Sequence, residues 1–328
     1  MKDLETKFIE LQKLIQSSQR IVLTSHVHTD GDAMGCMIAL YDYLTRIEKD
    51  VEIVIPGEIP PKYHYLNTDH IINRTTNFEA EYKISNAQLI IIVDVSALNR
   101  LNGLYSLVKE SPAKKICIDH HPFEGDWVNL GIVDTDRVAT GEMIFKFFQV
   151  NNIPISPLMA KALYTAILSD SGSFRFQRTD AFTFNMAATL VDAGADPVKL
   201  YSQIYENGTP HQLQAWGEIL KNIQSQNKLS WLSVPKKLFD DFKITLEEID
   251  GIIDVLRKIK EAQVVLVFVE KSENDVIVGL RSKNGFDVGE FARKFGGGGH
   301  HHAAGFHKDE KLENVISETI TEIEKVIS

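Results

Sequence analysis

Two cysteines in 328 residues, Cys36 and Cys117, are too few for a disulfide scaffold. Both fall inside apolar periodic segments, which reads as small reduced core residues and a cytoplasmic setting. No uninterrupted apolar run approaches the roughly 20 residues a membrane-spanning helix needs, so no membrane partner is expected. The amino-terminal stretch MKDLETKFIELQKLIQ is charged and amphipathic and lacks the basic-then-apolar order of a secretory signal. Positive charge is also short: 45 acidic against 35 basic side chains give a formal net charge of -10. Long duplex nucleic acid is gripped through a basic face and counterion release, so that class of partner is not expected. A small nucleotide held by a metal site and a few placed basic groups remains open.

An apolar fraction of 44% and a charged fraction of 24% describe an ordinary globular chain. Its length exceeds what one core usually serves, so two domains are expected. Through the first two hundred residues strand-like and helix-like segments alternate. RIVLTS, VEIVIP, AQLIIIVDVS and KKICIDHH read as strands. AMGCMIALYDYLTRI, ATGEMIFKFFQV, SPLMAKALYTAILSD and AFTFNMAATLVDAGAD read as helices, the last with Gly194 near its end. Near-continuous apolar strands alternating with helices predict an α/β domain with a parallel sheet covered on both faces. From about residue 205 the character changes. A polar, partly helical connector leads to the short strands LSWLSV, QVVLVFVEK and DVIVGLRSK, with one helical stretch, TLEEIDGIIDVLRKI, between the first two. The expected division is 1–205 for the first domain, 206–225 for a helical linker and 226–328 for a smaller α/β domain.

The residues just past each apolar strand carry the chemistry. After IVLTS come His26, His28, Asp30 and Asp32; after LIIIV comes Asp94; after KKICI come Asp119, His120 and His121; the helix LYTAILSD ends in Asp170. In open parallel sheets ligands bind outside the carboxyl ends of the strands, so these groups are expected at one rim. Singly, each has a plain explanation. A His/Asp loop is commonly an Asx turn, and an aspartate ending a strand or helix commonly caps. Paired histidines at a strand end gain nothing in packing, and four stretches converging on one rim are hard to explain as caps. Carboxylates mixed with imidazoles suit a divalent ion such as manganese. The number of ligands suits two ions ~3.5–4 Å apart, which clamp the attacking and leaving oxygens in phosphoryl transfer and acidify water. His28 is left as solvent-facing or outside the ligand set.

HVHTDGD resembles the H-x-x-x-D-x-D opening motif of the DHH phosphoesterase superfamily, and VDVS, IDHH and LSDSGSF resemble its next three motifs in order. GGGGHHHAAGF resembles the glycine-rich GGGH-x-x-A-A-G signature of the domain usually appended to it. The resemblance covers essentially the whole chain. It implies that His26, Asp30 and Asp94 hold one manganese ion and that Asp32, Asp94, His120 and Asp170 hold a second, with Asp94 shared. It also implies that Asp119 orients its neighbours and that His121 stabilises charge on the reacting phosphate. The fourth motif often reads D-T-G; Asp170-Ser171-Gly172 departs from it but keeps a hydroxyl.

In the second domain, glycines at 297, 298 and 299 would let a phosphate approach the backbone, with successive amides forming an anion nest. Gly297, Gly298, Gly299, His300 and Arg281 are the expected substrate-binding residues, on the resemblance and on the strand-end position of Arg281. Alone, Arg281 would be a solvated edge charge and the glycine run a linker. Lys283, His301 and His302 stay undecided, and Phe174, Phe176 and Phe286 are as readily core as base-stacking groups. Length and architecture resemble the small bacterial members of the family. These are oligoribonucleases that also remove the 3'-phosphate of 3'-phosphoadenosine 5'-phosphate (pAp). Short RNA oligomers and pAp are therefore the expected partners, and a homodimer is compatible with the family. The rival readings are a cyclic or linear dinucleotide phosphodiesterase and a non-catalytic nucleotide-binding protein. The second predicts a decayed ligand position, and no motif position is missing.

Overall fold

The computed structural model describes residues 2–66, 71–72, 77–95, 97–123, 125–249, 251–283 and 285–327; the side chains of Lys2, Asn77, Glu247 and His300 lie outside that description. The chain forms two compact units, Met1–Asn207 and Gly208–Ser328. Among the described residues no helix is long and apolar enough to cross a membrane.

In the first unit, β1 (Arg20–Thr24), β2 (Asp50–Ile53), β3 (Leu89–Val93), β4 (Lys114–Asp119) and β5 (Leu130–Val133) form a sheet in the order β2-β1-β3-β4-β5. Every neighbouring pair is parallel. The helices are α1 (Lys2–Ser17), α2 (Gly31–Arg46), α3 (Asn77–Asn86), α4 (Tyr105–Glu110), α5 (Thr140–Val150), α6 (Pro157–Asp170), α7 (Ala181–Asp192) and α8 (Pro197–Tyr205). Successive strand residues face opposite ways, and both faces are covered, which is why the strands are apolar throughout. Leu23, Ile91 and Val93 join a core with Phe8 and Leu11 of α1, Met37 of α2, Phe147 of α5 and Leu163 of α6. Val22, Ile90 and Ile92 join a second core with Ile84 of α3 and Val108 of α4. The sheet thus carries helices on both faces, as the sequence pattern predicts.

From β1 the chain steps to β2 on one side and to β3 on the other. That reversal leaves a crevice at the carboxyl ends of β1 and β3. Against it α2 and α6 pack unusually closely. A Cβ on Gly35 would lie 2.3 Å from the Ala162 carbonyl oxygen, so only glycine permits this approach. The closeness brings the start of α2 and the end of α6 to the same rim.

In the second unit, β6 (Gln224–Gln226), β7 (Leu229–Val234), β8 (Val264–Ser272), β9 (Asp275–Ser282), β10 (Gly298–His300) and β11 (Ala303–Lys308) run in the order β10-β11-β9-β8-β7-β6. The β7–β8 pair is parallel and the others antiparallel, a mixed sheet. On one face lie α9 (Pro210–Leu220), α10 (Lys236–Phe242), α11 (Leu246–Ile249) and α12 (Ile252–Leu256). On the other lie α13 (Val288–Lys294) and α14 (Leu312–Glu324). Strand β8 again alternates, with Leu266 and Phe268 in one core and Val265 and Val267 in the other.

Two details differ from expectation. The single helical stretch read over TLEEIDGIIDVLRKI is two short helices, because Gly251 enters α12 with a left-handed φ of 89°. Within 206–225, read as a connector, α9 buries Ala215 and Ile219 beside Leu232 and Ile252 in the second unit's core.

Candidate active site

The first ligand-rich turn follows β1. Ser25, fully buried, donates its hydroxyl to the Val93 carbonyl at 2.7 Å and so ties the turn to β3. Thr29 donates to the His26 carbonyl at 2.9 Å. Asp30 then caps α2, its Oδ1 accepting the Asp32 and Ala33 amides at 3.1 Å each. Asp32 sits inside the first turn of α2 with no solvent exposure. Its carboxylate accepts the amides of Thr140 at 2.6 Å and Gly141 at 2.9 Å. Those are the first amides of α5, whose cap position, Ala139, supplies no side-chain acceptor. A helix start leaves its amides without intrahelical partners, and Asp32 takes two of them from another helix. One turn along α2, the Cys36 Sγ lies 3.5 Å from Asp32 Oδ1.

Asp94 leaves β3 with a left-handed φ of 59°. That conformation is strained for a residue with a Cβ, though less for Asp and Asn than for others. The Asp94 amide donates to the Ile118 carbonyl at 2.9 Å, and its carboxylate takes the Thr140 hydroxyl at 3.3 Å. Beyond β4, Asp119 Oδ1 accepts both the His121 amide at 3.1 Å and the His121 Nδ1 proton at 2.7 Å. His120 Nδ1 meets the Arg137 carbonyl at 3.2 Å. A carbonyl there fixes the proton on Nδ1 and turns Nε2 into the cleft. Nε2 lies 3.3 Å from Asp170, 3.6 Å from Asp94 and 3.9 Å from Asp32. His26 Nε2 lies 3.2 Å from Asp94 and 4.0 Å from Asp30.

Asp170 ends α6. Gly172, Ser173 and Phe174 follow with φ of 55°, 60° and 63°. The Ser171 hydroxyl accepts the Phe174 amide at 2.8 Å, which gives the hydroxyl at this motif position a structural task. A Cβ on Gly172 would meet the Phe176 ring at 2.4 Å.

All the ligand candidates of the first unit thus converge on one rim. Candidate ligand atoms fall into three overlapping sets, each within 4.8 Å: His26, Asp30 and Asp94; Asp32, His120 and Asp170; and Asp94, Asp119, His120 and His121. His28 is exposed and in none of them.

The electrostatics of the metal-free cluster follow from burial and crowding. Burial, then Asp170 and Asp94, pushes the Asp30 carboxyl up to about 7. The same causes raise Asp32 well above the carboxylate range. Burial would raise Asp94 too, but hydrogen bonds from His121 and His26 prevail and hold it well below. Burial works against protonated imidazoles, yet Asp170 lifts His120 to about 9 and Asp119 lifts His121 to about 10. Among the described residues no lysine or arginine pairs with Asp30, Asp32, Asp94, Asp119 or Asp170. His26 Nδ1 and Asp119 Oδ2 are buried without a partner. Buried carboxylates lacking a cation are costly, and hard oxygen donors with imidazoles are the set a divalent ion takes. The residues fit a metal centre.

The second-unit candidates stand as follows. Arg281 pairs across β9 with Ala303 and Val265; it is half-buried and its Nη1 donates to the Leu280 carbonyl at 3.0 Å. Gly296 and Gly297 donate to the Arg293 and Ala292 carbonyls at 3.1 Å and 2.9 Å, and 298–300 form the edge strand β10. A Cβ on Gly297 would meet the Gly305 carbonyl oxygen at 2.2 Å, and one on Gly299 the Ala303 carbonyl oxygen at 2.5 Å. A Cβ on Gly298 would meet nothing within 4 Å. The His300 side chain lies outside the described residues. His301 pairs with Asp287 at 3.1 Å, His302 meets Ser282 at 2.9 Å, and Lys283 donates to the Ile259 carbonyl. Phe286 packs near Phe291, Phe176 covers Gly172, and Phe174 stacks at 5.4 Å on the exposed Phe184.

Sequence reasoning overlooks Thr140, Gly141, Arg137 and Cys36. Three of these act through backbone atoms that every residue owns. The one readable signal is a small, cap-free start, ATG, to an otherwise apolar helix.

Residues 20–167 match the DHH family, N-terminal domain, and residues 232–328 match the DHHA1 domain. The chain is 27% identical to the bifunctional oligoribonuclease and PAP phosphatase NrnA of Mycoplasma genitalium, over 94% of this chain and 95% of the relative. It is 28% identical to the Bacillus subtilis protein of the same name, over 90% and 91%. An exopolyphosphatase-related protein from Bacteroides fragilis superposes with a TM-score of 0.92 at 25% identity, covering 98% of this chain and 96% of that one. Two domain matches in order, on a buried cluster of carboxylates and imidazoles at a parallel-sheet rim, lead to one conclusion: the chain belongs to the DHH family of metal-dependent phosphoesterases and carries a DHHA1 domain as its second unit.

Proposed function

We propose that this protein is a manganese-dependent phosphoesterase that degrades short oligoribonucleotides to mononucleotides and removes the 3'-phosphate of pAp. The observation that carries the reading is the position of Asp94, which belongs to the set with His26 and Asp30 and lies 3.6 Å from His120 Nε2 of the set with Asp32 and Asp170, so that it could serve two neighbouring ions. The names of relatives at 27% and 28% identity over at least nine-tenths of the chain support the substrate classes.

His26, Asp30 and Asp94 would hold one ion, and Asp32, Asp94, His120 and Asp170 the other. Divalent ions bound there supply Lewis-acid charge and make water more acidic. The remaining work falls to the chain. Asp119 fixes His121 through Nδ1, and the resulting imidazolium offsets charge on the phosphate. The Arg137 carbonyl keeps the His120 proton on Nδ1, so Nε2 stays a ligand. In the second unit, Arg281 and the backbone at Gly298, whose Cβ side is open, would take a substrate phosphate.

The test compares release of mononucleotide from an RNA trimer and from a fifty-nucleotide structured RNA, and of phosphate from pAp, with manganese and with chelator. The trimer is expected to be cleaved at least tenfold faster than the long RNA, and both short substrates should depend on metal. Equal rates on the two RNAs would remove the short-substrate claim, and no phosphate from pAp would remove that arm.

The glycine run gives a second check. Gly297→Ala should destabilise the second unit by about 1–3 kcal/mol, because the new methyl overlaps β11 backbone. Gly298→Ala should leave its melting temperature within about 2 °C and raise KM instead. An unchanged KM in Gly298→Ala would take that backbone out of the substrate site.

A further inference from the structure

We propose that Glu142 is the positioning residue of the metal cluster. It holds the turn that aims Thr140, Gly141 and the Arg137 carbonyl at three of the proposed ligands. The ligand roles rest on the proposed function, whereas the holding of the turn does not.

Glu142 lies in the first turn of α5 and is 1% exposed, yet it touches neither cluster nor solvent. A carboxylate is not buried without cause. Its two oxygens are spent on two different elements. Oε2 accepts the Val138 amide at 3.2 Å, closing the turn just before α5, and Oε1 accepts the Thr183 hydroxyl from α7. The Arg137 Nη1 lies 3.8 Å from Oε2 and 3.8 Å from Asp180, the cap of α7, while Arg137 Nε is 3.3 Å from Asp134. The Arg137 guanidinium also lies 5.2 Å over the Phe182 ring. The turn 137–141 is therefore clamped on both sides, by Asp134 behind and by α7 in front, with Glu142 at the centre.

That turn presents four groups to the site. Arg137 offers its carbonyl to His120 Nδ1; Thr140 and Gly141 offer amides to Asp32; Thr140 offers its hydroxyl to Asp94. Ala139 makes no side-chain cap, so the start of α5 must be defined by other groups. A start shifted by one residue would point different amides at Asp32 and withdraw the carbonyl from His120. Glu142 fixes that start by binding the Val138 amide, and its bond to Thr183 fixes Glu142. Removing a partner of a metal ligand commonly weakens metal binding by about 10–100-fold.

The experiment uses the full chain and two readouts. In metal-free protein, amide hydrogen exchange is followed at Thr140 and Gly141, with Ile90 and Ile91 of β3 as internal standards for global opening. Manganese affinity is measured by titration calorimetry. Glu142→Ala should speed exchange at Thr140 and Gly141 by about tenfold or more over the standards, and weaken manganese by about 10–100-fold. Glu142→Gln, which keeps both acceptor positions within reach of one amide oxygen at a time, should fall between. Thr183→Val frees one oxygen without disturbing α5 and should give a smaller shift of the same sign. If Glu142→Ala loosens the whole first unit, Thr183→Val decides by the same comparison. Unchanged exchange at Thr140 and Gly141 relative to β3 would overturn the proposal. If wild type binds no manganese, the proposed function falls, and the exchange data alone judge Glu142.

Discussion

Asp94→Asn should abolish turnover, by on the order of 10³-fold or more, while the first unit stays folded. Asparagine is the informative replacement. It is isosteric, keeps an oxygen for the Thr140 hydroxyl, and tolerates the left-handed backbone at φ of 59°, where alanine would add strain. What it loses is charge, at the one carboxylate that appears in two ligand sets. Manganese stoichiometry by calorimetry should drop from two to at most one per chain. Asp30→Asn touches one set only and should spare one ion. Because His26 and His121 hold Asp94 ionised, the metal-free variant should melt slightly lower than wild type. Retention of more than a tenth of wild-type kcat, or two ions still bound, would remove Asp94 from the centre of the mechanism.

Metal removal should be the second large effect, and it should grow with pH. In metal-free protein, Asp30 is raised from an ordinary 3.8 to about 7, and His120 and His121 from 6.5 to about 9 and about 10. A group whose folded pKa is raised contributes stability at low pH and loses it as pH rises through the folded value. Asp30 therefore loses its share between about pH 4 and 7, and the histidines theirs between about 6.5 and 10. Asp94, held below its ordinary value, loses its share only in acid, outside that window. All changes above pH 5 point the same way, so the chelated protein should melt progressively lower from pH 5.5 to 8.5. Manganese displaces the same protons and binds better as pH rises. At about a hundredfold excess over Kd it adds roughly 2.7 kcal/mol to the first unit, about 5–10 °C in Tm. The gap between loaded and chelated curves should widen across the range. A gap that is constant or narrows with pH would mean that the metal binds elsewhere.

The convergence on one rim was legible because the candidate ligands are side chains with few alternative uses. Two histidines after KKICID have no packing role, and apolar strands declare their own ends. The support of that rim was not legible. Asp32 looks like any acidic residue in a first helical turn, and only the fold shows that it completes a different helix. The Arg137 carbonyl and the Thr140 and Gly141 amides carry no identity in sequence, since backbone atoms are common to all residues. The glycine run carries a second reason that composition does not show: at Gly297 and Gly299 the β11 backbone passes too close for a Cβ. Gly251, a single residue, split a helix whose periodicity continues on both sides.

The six-stranded sheet ends on both sides in three-residue strands, Gln224–Gln226 and Gly298–His300. One edge is wholly polar and the other begins with two glycines, and neither is long enough to template a further strand. A partner, whether an extended peptide or another copy of the chain, would therefore find no edge on the second unit to extend by strand addition. Mutations that lengthen β10, such as replacing its glycines with β-branched residues, would remove that protection and turn this edge into a site of self-association.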